Sequence, residues 1–367
     1  MNEVQEIYLK LLRAALGLNN GERLTVNGEC LSEVIRLAAF QGTGPLVYDQ
    51  LLKLKDVDIS ADLRMQMKQQ CLQSMMLQQS MATLLKQAWE ALKKADIYPV
   101  LLKGFGLAQY YPQPHLRQWG DMDIYVGKVN YHKACGVLRD TFLGVKHMAE
   151  EGDDYKHYNF EFGHTVLELH RVSMTFAHPR DRRYYEFLDE CYLTKDGPTF
   201  EIDAELITTP EETFNIFFVF LHAWHHFIET GMNMKQLSDI AILLHTHKGD
   251  IERLHEMITR LYLMEAWQQV MWIMVHHLGV PQEECPYYTK KCSKQAERLF
   301  EQILIEGSSY RKEEVNAEGA SYLRRKWLTY QLRLDDSRRV RPYAPRYARH
   351  MVVADFLHGV ERVLAGK

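Results

Sequence analysis

The chain has 367 residues, 46% hydrophobic and 25% charged, a balance that excludes disordered and fibrous proteins and, at about 150 residues per domain, allows roughly two domains. Its 44 basic residues against 48 acidic ones give a formal charge of −4, which excludes a general polyanion binder and leaves room only for a local basic patch. Six cysteines (Cys30, Cys71, Cys135, Cys191, Cys285, Cys292) form no CxxC pair, and the N-terminus is acidic with no small-residue cleavage site. The expectation is a reduced, cytoplasmic protein without a signal peptide. The most apolar stretch, residues 216–228, is interrupted by His222, His225 and His226 and is too short to cross a bilayer, so no membrane partner is expected.

In chain order, Ile7, Leu11, Leu12, Ala15 and Leu16 recur at the three-and-four spacing of a buried helical face. Residues 31–40 repeat the spacing and stop at the breaker Gly42-Thr43-Gly44-Pro45. Residues 61–95 contain neither Gly nor Pro, which predicts one long helix, with Met65, Met67, Met75, Met76 and Met81 expected to serve packing. The texture changes at Asp96. Residues 97–102 read as a buried strand closing at Lys103-Gly104, and 105–111 as one or two helical turns ended by Pro112 and Pro114. Residues 121–126 and 165–170 alternate as strands, 155–162 form a further strand with Tyr158, Phe160 and Phe162 on one face, and 131–142 form a helix. Thr209-Pro210-Glu211-Glu212 predicts a helix start, with a capping hydroxyl, a proline at the first position and acid in the first turn. The predicted fold is α+β: an N-terminal helical region (1–95), a small mixed-sheet core (96–205) and a C-terminal helical domain (206–367).

The chemistry concentrates in LLKGFGLAQYYPQPHLRQWGDMDIYV. Along 121–126 the side chains alternate, so Asp121, Asp123 and Tyr125 share one face while Met122, Ile124 and Val126 take the other. Two carboxylates roughly 7 Å apart on one strand face repel each other, and a divalent cation between them removes the conflict. Along 165–170, Val166, Glu168 and His170 share a face. If that strand neighbours 121–126, Glu168 completes an oxygen cage suited to Mg²⁺ or Mn²⁺, the apparatus of phosphoryl or nucleotidyl transfer. A solvated acidic strand end is the competing reading. Lys103 and Arg117 are the nearest cations in sequence; they either line a triphosphate site or pair with the carboxylates. His170 either orients Glu168 or is a buried structural histidine.

This order of strand, Lys-Gly turn, short helix, Arg-x-x-Gly-Asp-x-Asp strand and later acidic strand resembles the nucleotidyltransferase fold of the DNA polymerase β superfamily. More narrowly, it resembles a poorly characterised bacterial nucleotidyltransferase family. The residues that carry the resemblance are Leu102-Lys103-Gly104, Arg117-Gln118-Trp119-Gly120-Asp121-Met122-Asp123 and Glu168-Leu169-His170. The N-terminal helices and the 235–244 segment KQLSDIAILL also fit, so the likeness covers most of the chain. It implies that Asp121 and Asp123 hold the metals, that Glu168 is the third carboxylate, and that Gly104 admits the phosphates of an NTP to the backbone at a helix start. Phe105 stands where the superfamily usually has Gly or Ser, and the third acid is Glu rather than the commoner Asp.

The implied activity is metal-dependent transfer of a nucleoside monophosphate to an acceptor hydroxyl; the sequence specifies neither the acceptor (small molecule, protein or RNA end) nor an oligomeric state. A nucleotidyltransferase-fold protein that binds nucleotide or a partner without catalysis is the alternative. A third reading, a histidine-metal hydrolase, rests on His222 and His226 at i and i+4 with Asp239 downstream, but lacks the HExxH glutamate. Finally, Arg324, Arg325, Lys326, Arg333, Arg338, Arg339, Arg341, Arg346 and Arg349 are interleaved with Tyr322, Trp327, Tyr330, Tyr343 and Tyr347. Such a stretch either grips an anionic acceptor beside the sheet domain or is a helix face paired with carboxylates elsewhere.

Overall fold

The computed structural model describes all residues except 20, 22–25, 27, 56, 119, 150–156, 164, 311–321 and 365–367. It divides into two compact units, one of Met1–Thr175 and Glu186–Asn215, the other of Phe176–Tyr185 and Ile216–Lys367.

The first unit begins with α1 (Glu3–Ala15), opened by a reciprocal capping box between Asn2 and Gln5. α2 (Leu31–Phe40), α3 (Gly44–Lys53) and the 34-residue α4 (Ala61–Lys94) follow. The sheet elements are β1 (Val100–Leu101), α5 (Phe105–Ala108), β2 (Asp121–Tyr125), α6 (Gly127–Thr141), β3 (Lys146–Ala149), β4 (His157–Phe162) and β5 (Thr165–His170). They form one mixed sheet in the order β1-β2-β5-β4-β3, in which β2 and β5 run parallel and every other pair antiparallel. The predicted α+β fold is therefore the fold observed. The four-residue β3 and the hairpin of β6 (Thr199–Ile202) and β7 (Glu205–Thr208) were not anticipated.

The apolar side of the sheet explains how α4 and α6 dock. Met122 and Ile124 of β2, Phe160 of β4, and Leu167 and Leu169 of β5 form one buried cluster with Met81, Leu85, Trp89 and Leu92 of α4 and Tyr131, Ala134 and Leu138 of α6. The methionine expectation holds only in part. Met67 and Met81 are buried, but Met65, Met75 and Met76 are exposed. A 34-residue helix is about 51 Å long, and its buried side chains gather toward the C-terminal third.

α8 (Glu212–Glu229) enters the second unit at Ile216, where Phe217, Phe218, Phe220, Trp224 and Phe227 are all fully buried, the signature of a central helix. Around the chain follow α9 (Met234–Thr246), α10 (Ile251–Arg260), α11 (Met264–His277), α12 (Ser293–Glu306), α13 (Tyr322–Val340) and α14 (Pro345–Leu364). Among the described residues no helix is long and apolar enough to cross a membrane. The start of α8 differs from expectation. The Thr209 hydroxyl donates to the Pro198 carbonyl (3.1 Å), and it is the Glu211 carboxylate that accepts the Phe214 N–H (3.0 Å). Proline at 210 sits before the helix rather than inside it, because the β7 pairing carries Thr209 back toward Pro198.

One buried strut fixes the end of β5, the strand that carries Glu168 and His170. Just beyond it, Ser173 donates its N–H (2.8 Å) and its hydroxyl (2.5 Å) to the carboxylate of Asp189, which lies on α7 (Pro179–Tyr192). Burial pushes the Asp189 carboxyl up to about 7, against the lowering effect of the two Ser173 bonds. A carboxyl that holds its proton more tightly when folded than its ordinary 3.8 destabilises the fold as pH rises from 3.8 through about 7. Asp189→Asn keeps both bonds, with its oxygen accepting the N–H and its amide donating to the hydroxyl, and has no proton to lose. Thermal unfolding below about pH 5 and above about pH 8 is expected to show the wild type losing stability relative to D189N at the higher pH. An identical pH slope for the two proteins would refute the assignment.

Candidate active site

In a parallel or antiparallel pair, residues directly opposite one another point to the same face. The β2–β5 register sets Asp123 opposite Glu168 and Tyr125 opposite His170, and the β4–β5 register sets His157 opposite His170. With the apolar partners of these strands committed to the core, the other face collects Asp121, Asp123, Glu168, His170 and His157. One carboxylate oxygen from each of Asp121, Asp123 and Glu168 lies within 4.8 Å of the other two. The adjacency and shared face expected from the alternation are both present.

Lys103 and His170 hold this acidic group together. The Lys103 ammonium contacts Asp123 Oδ1 (3.0 Å) and Asp121 Oδ2 (3.3 Å). His170 Nε2 lies 2.9 Å from the same Asp123 oxygen and 3.3 Å from Glu168 Oε2. Since a carboxylate only accepts, that nitrogen carries the proton and donates. His157 Nδ1 lies 3.8 Å from Glu168 Oε2. Burial alone would raise the pKa of the fully buried Asp123, but the Lys103 charge and the His170 hydrogen bond outweigh it and hold the carboxyl below its ordinary value. Glu168 follows the same logic: burial opposes ionisation, but His170, then His157 and Lys103, bring it down to about 2. Burial works against the Lys103 charge too, and Asp123, Asp121 and Glu168 more than reverse it, so its pKa stands above the usual lysine range. Three carboxylates against one ammonium leave a formal −2 when the histidines are neutral. Asp123 Oδ2 is buried with no hydrogen-bond partner among the described residues.

The turn that delivers Lys103 follows from β1. Val100 and Leu101 pair with Tyr125 and Ile124, and the Leu102 N–H donates to the Asp123 carbonyl (2.9 Å). Continued alternation would send Lys103 to the core side. The strand instead ends at Leu101, and the chain bends through Gly104 at φ +61° and ψ −110°, a conformation that side chains rarely adopt. Arg117 is buried, donates to the Gly104 carbonyl (3.1 Å) and lies over the Tyr111 ring, so it clamps this turn. α5 has only four residues. With Gly104 at its N-terminus, so short a helix sums little backbone dipole.

His157 is the site residue that the sequence reading missed. Placing Tyr158, Phe160 and Phe162 on one face of the strand already implied that His157 belonged to the other, but only the β4–β5 pairing makes that face the acidic one. The other sequence candidates fall elsewhere. His222 and His226 pack edge to face at 4.5 Å, His226 Nδ1 lies 3.0 Å from the Thr230 hydroxyl, and Asp239 is buried in α9. Among the described residues, no group of three metal donors includes any of them. Several basic side chains have acidic partners: Arg338 pairs with Asp335, Arg339 with Glu306, Arg346 with Glu265, and Arg333 lies within ion-pair distance of Glu229, Asp336 and Asp355. The side chains of Tyr322, Arg325, Lys326 and Trp327 lie outside the described residues.

Lys103 is the cation that Asp121 and Asp123 share. Lys103→Met keeps the chain length and removes the charge, which leaves the buried Asp123 with His170 alone and takes the ion-pair partner from Asp121. Breaking a buried pair in this way costs about 3–5 kcal/mol. Denaturant unfolding of K103M is expected to show a loss of that order, with Mg²⁺ restoring part of it. A variant as stable as the wild type, or one indifferent to Mg²⁺, would mean that the acids do not act as one charged group.

No curated protein sequence and no solved structure matches the chain. A family model does, that of an uncharacterised nucleotidyltransferase, and it aligns with residues 29–279, which include the whole sheet and every residue of the acidic cluster. With that span covering well over half of its length, the chain belongs to this nucleotidyltransferase family.

Proposed function

We propose that the protein moves a nucleoside monophosphate from an NTP to an acceptor hydroxyl, using Mg²⁺ or Mn²⁺ held by Asp121, Asp123 and Glu168. The observation that carries this reading is the convergence of three carboxylates on one sheet face, in a nucleotidyltransferase family member, with Lys103 against them. The residues fit a hard divalent cation. All three donors are oxygens, with Lys103 they carry a formal −2, and the buried Asp123 Oδ2 has no hydrogen-bond partner among the described residues. When bound, such a cation neutralises triphosphate charge and polarises the reacting oxygens.

The remaining roles belong to the chain itself. His170 bridges Asp123 and Glu168 and so fixes the orientation of both carboxylates. Lys103 lies where its ammonium can pass from the carboxylates to a phosphate oxygen once a cation takes over their charge. Glu168, held at about 2, is a weak proton acceptor, which favours a cation-ligand role over that of general base. Arg117 and Gly104 shape the turn beside the carboxylates.

A nucleotide-binding module without catalysis is the second reading. Lys103 favours it, because it already compensates Asp121 and Asp123, as does Phe105, which offers no hydroxyl after Gly104. A panel of nucleoside triphosphates with Mg²⁺ or Mn²⁺ separates the two: transfer releases pyrophosphate, whereas binding alone leaves the NTP intact. Asp121→Asn with Asp123→Asn keeps side-chain size and removes charge. The folded double variant is expected to lose Mg²⁺-dependent nucleotide affinity by at least about tenfold in titration calorimetry, roughly the 1.4 kcal/mol of a lost charge-assisted contact. Unchanged metal-dependent affinity would put the nucleotide at some other place on the protein.

A further inference from the structure

A second cluster of donors, different in chemistry, lies wholly within the unit that contains α8. His178 stands immediately before α7, Asp181 is in its first turn, and His350 comes from α14. His350 Nε2 hydrogen-bonds Asp181 Oδ2, and His178 Nδ1 lies 3.9 Å from Asp181 Oδ1. The two imidazoles are 4.9 Å apart, centroid to centroid, and one donor atom from each of the three residues lies within 4.8 Å of the other two.

A helix cap explains part of this arrangement. His178 Nδ1 accepts the Arg180 N–H (3.1 Å), and an acid in the first turn suits the helix dipole. It does not explain why a third donor arrives from 169 residues further along the chain, or why the carboxylate it meets is buried, with its side chain only 8% exposed. Arg182, beside Asp181 in sequence, directs its guanidinium to the Phe176 and Ala177 carbonyls and to His358 Nδ1. The Asp181 carboxylate is hydrogen-bonded by His350, and the His178 ring lies beside its other oxygen at 3.9 Å. The Tyr262 ring lies against His350 at 4.4 Å and limits its rotation.

Two imidazoles and one carboxylate form a borderline-soft donor set, suited to Zn²⁺ and related transition ions rather than to Mg²⁺. His178 and Asp181 are three residues apart, so a single helical turn presents both, and His350 closes the triangle. Three protein donors leave a fourth tetrahedral position open to water or a ligand. We propose that His178, Asp181 and His350 bind a divalent transition metal of the zinc class, at a site made of different residues and different donors from the Asp121–Asp123–Glu168 carboxylates.

Co²⁺ reports on such a site directly, because its visible d–d bands intensify in a tetrahedral field. Titrating the metal-stripped full-length protein with Co²⁺ is expected to develop those bands with about one equivalent, reversed by Zn²⁺. D121N/D123N should titrate like the wild type. His178→Ala should abolish the bands and weaken binding by more than about 100-fold, beyond the range seen for loss of an outer-shell partner. His350→Gln retains an N–H to donate to Asp181 while removing the ligating nitrogen, so it preserves the contact that joins α14 to α7 and should show the same loss with an unchanged circular dichroism spectrum. Co²⁺ bands that persist in H178A and H350Q, that vanish in D121N/D123N instead, or that never develop in the wild type would each overturn the proposal.

Discussion

The parallel pairing of β2 with β5, in the register that sets Asp123 opposite Glu168, is the constraint on which the rest of the first unit depends. A slip of one residue would turn Glu168 and His170 into the core and bring Leu167 and Leu169 out among the aspartates. Burial of the apolar residues prevents it. Met122, Ile124, Leu167 and Leu169 are each fully buried, and at about 1.5–3 kcal/mol per side chain the four contribute roughly 6–12 kcal/mol to holding the register. Two like charges 4 Å apart at an effective dielectric of about 20 repel by only about 4 kcal/mol, and Lys103 offsets part of that. The hydrophobic face can therefore hold the acidic face together.

What the acids gain from this enforced proximity is a defined orientation. His170 spends its single Nε2 proton between Asp123 and Glu168, and Lys103 spends its charge between Asp123 and Asp121. These contacts use some carboxylate oxygens, while Asp123 Oδ2 has no hydrogen-bond partner among the described residues. The anchoring continues behind the site, where the Ser173–Asp189 bonds fix the chain leaving β5. Charge compensation, strand register and the turn at Gly104 thus support one another: the turn brings Lys103 in, and Lys103 makes the crowding of carboxylates tolerable.

The helical unit uses its charges differently. Arg339 pairs with Glu306, donates to the Phe227 carbonyl and stacks over the Tyr310 ring, while Arg333 lies among Glu229, Asp336 and Asp355. Arg339 is nearly buried, whereas the Arg333–Glu229 pair is exposed and of a kind worth about 0–1 kcal/mol, so the Arg333 contacts fix the placement of α13 and α14 more than they add stability. For these arginines the reading as helix faces paired with carboxylates is the one that the structure supports, and the same helices deliver His350 to Asp181.

Local periodicity made much of the core legible from sequence. The strands at 121–126 and 165–170, the helix near 131–142, the long helix from 61 and the grouping of Asp121 with Asp123 all follow from a repeat of two or of about 3.6 residues, which neighbouring residues impose on one another. The partner of each strand is not a local property. β2 reaches β5 only after α6, β3 and β4 have intervened, so the joining of Glu168 to the aspartates depends on the tertiary pairing. His157 joins the acidic face only through the pairing of β4 with β5. Lys103 entered the acidic face against the alternation, because the chain turns at Gly104, and Thr209 gave up its expected cap because β7 holds it against Pro198. The sequence by itself determined which side chains share a strand face, since that depends on backbone geometry over a few residues. The tertiary structure decided which faces meet and which cation answers which carboxylate, since those are settled by burial and charge among residues distant along the chain.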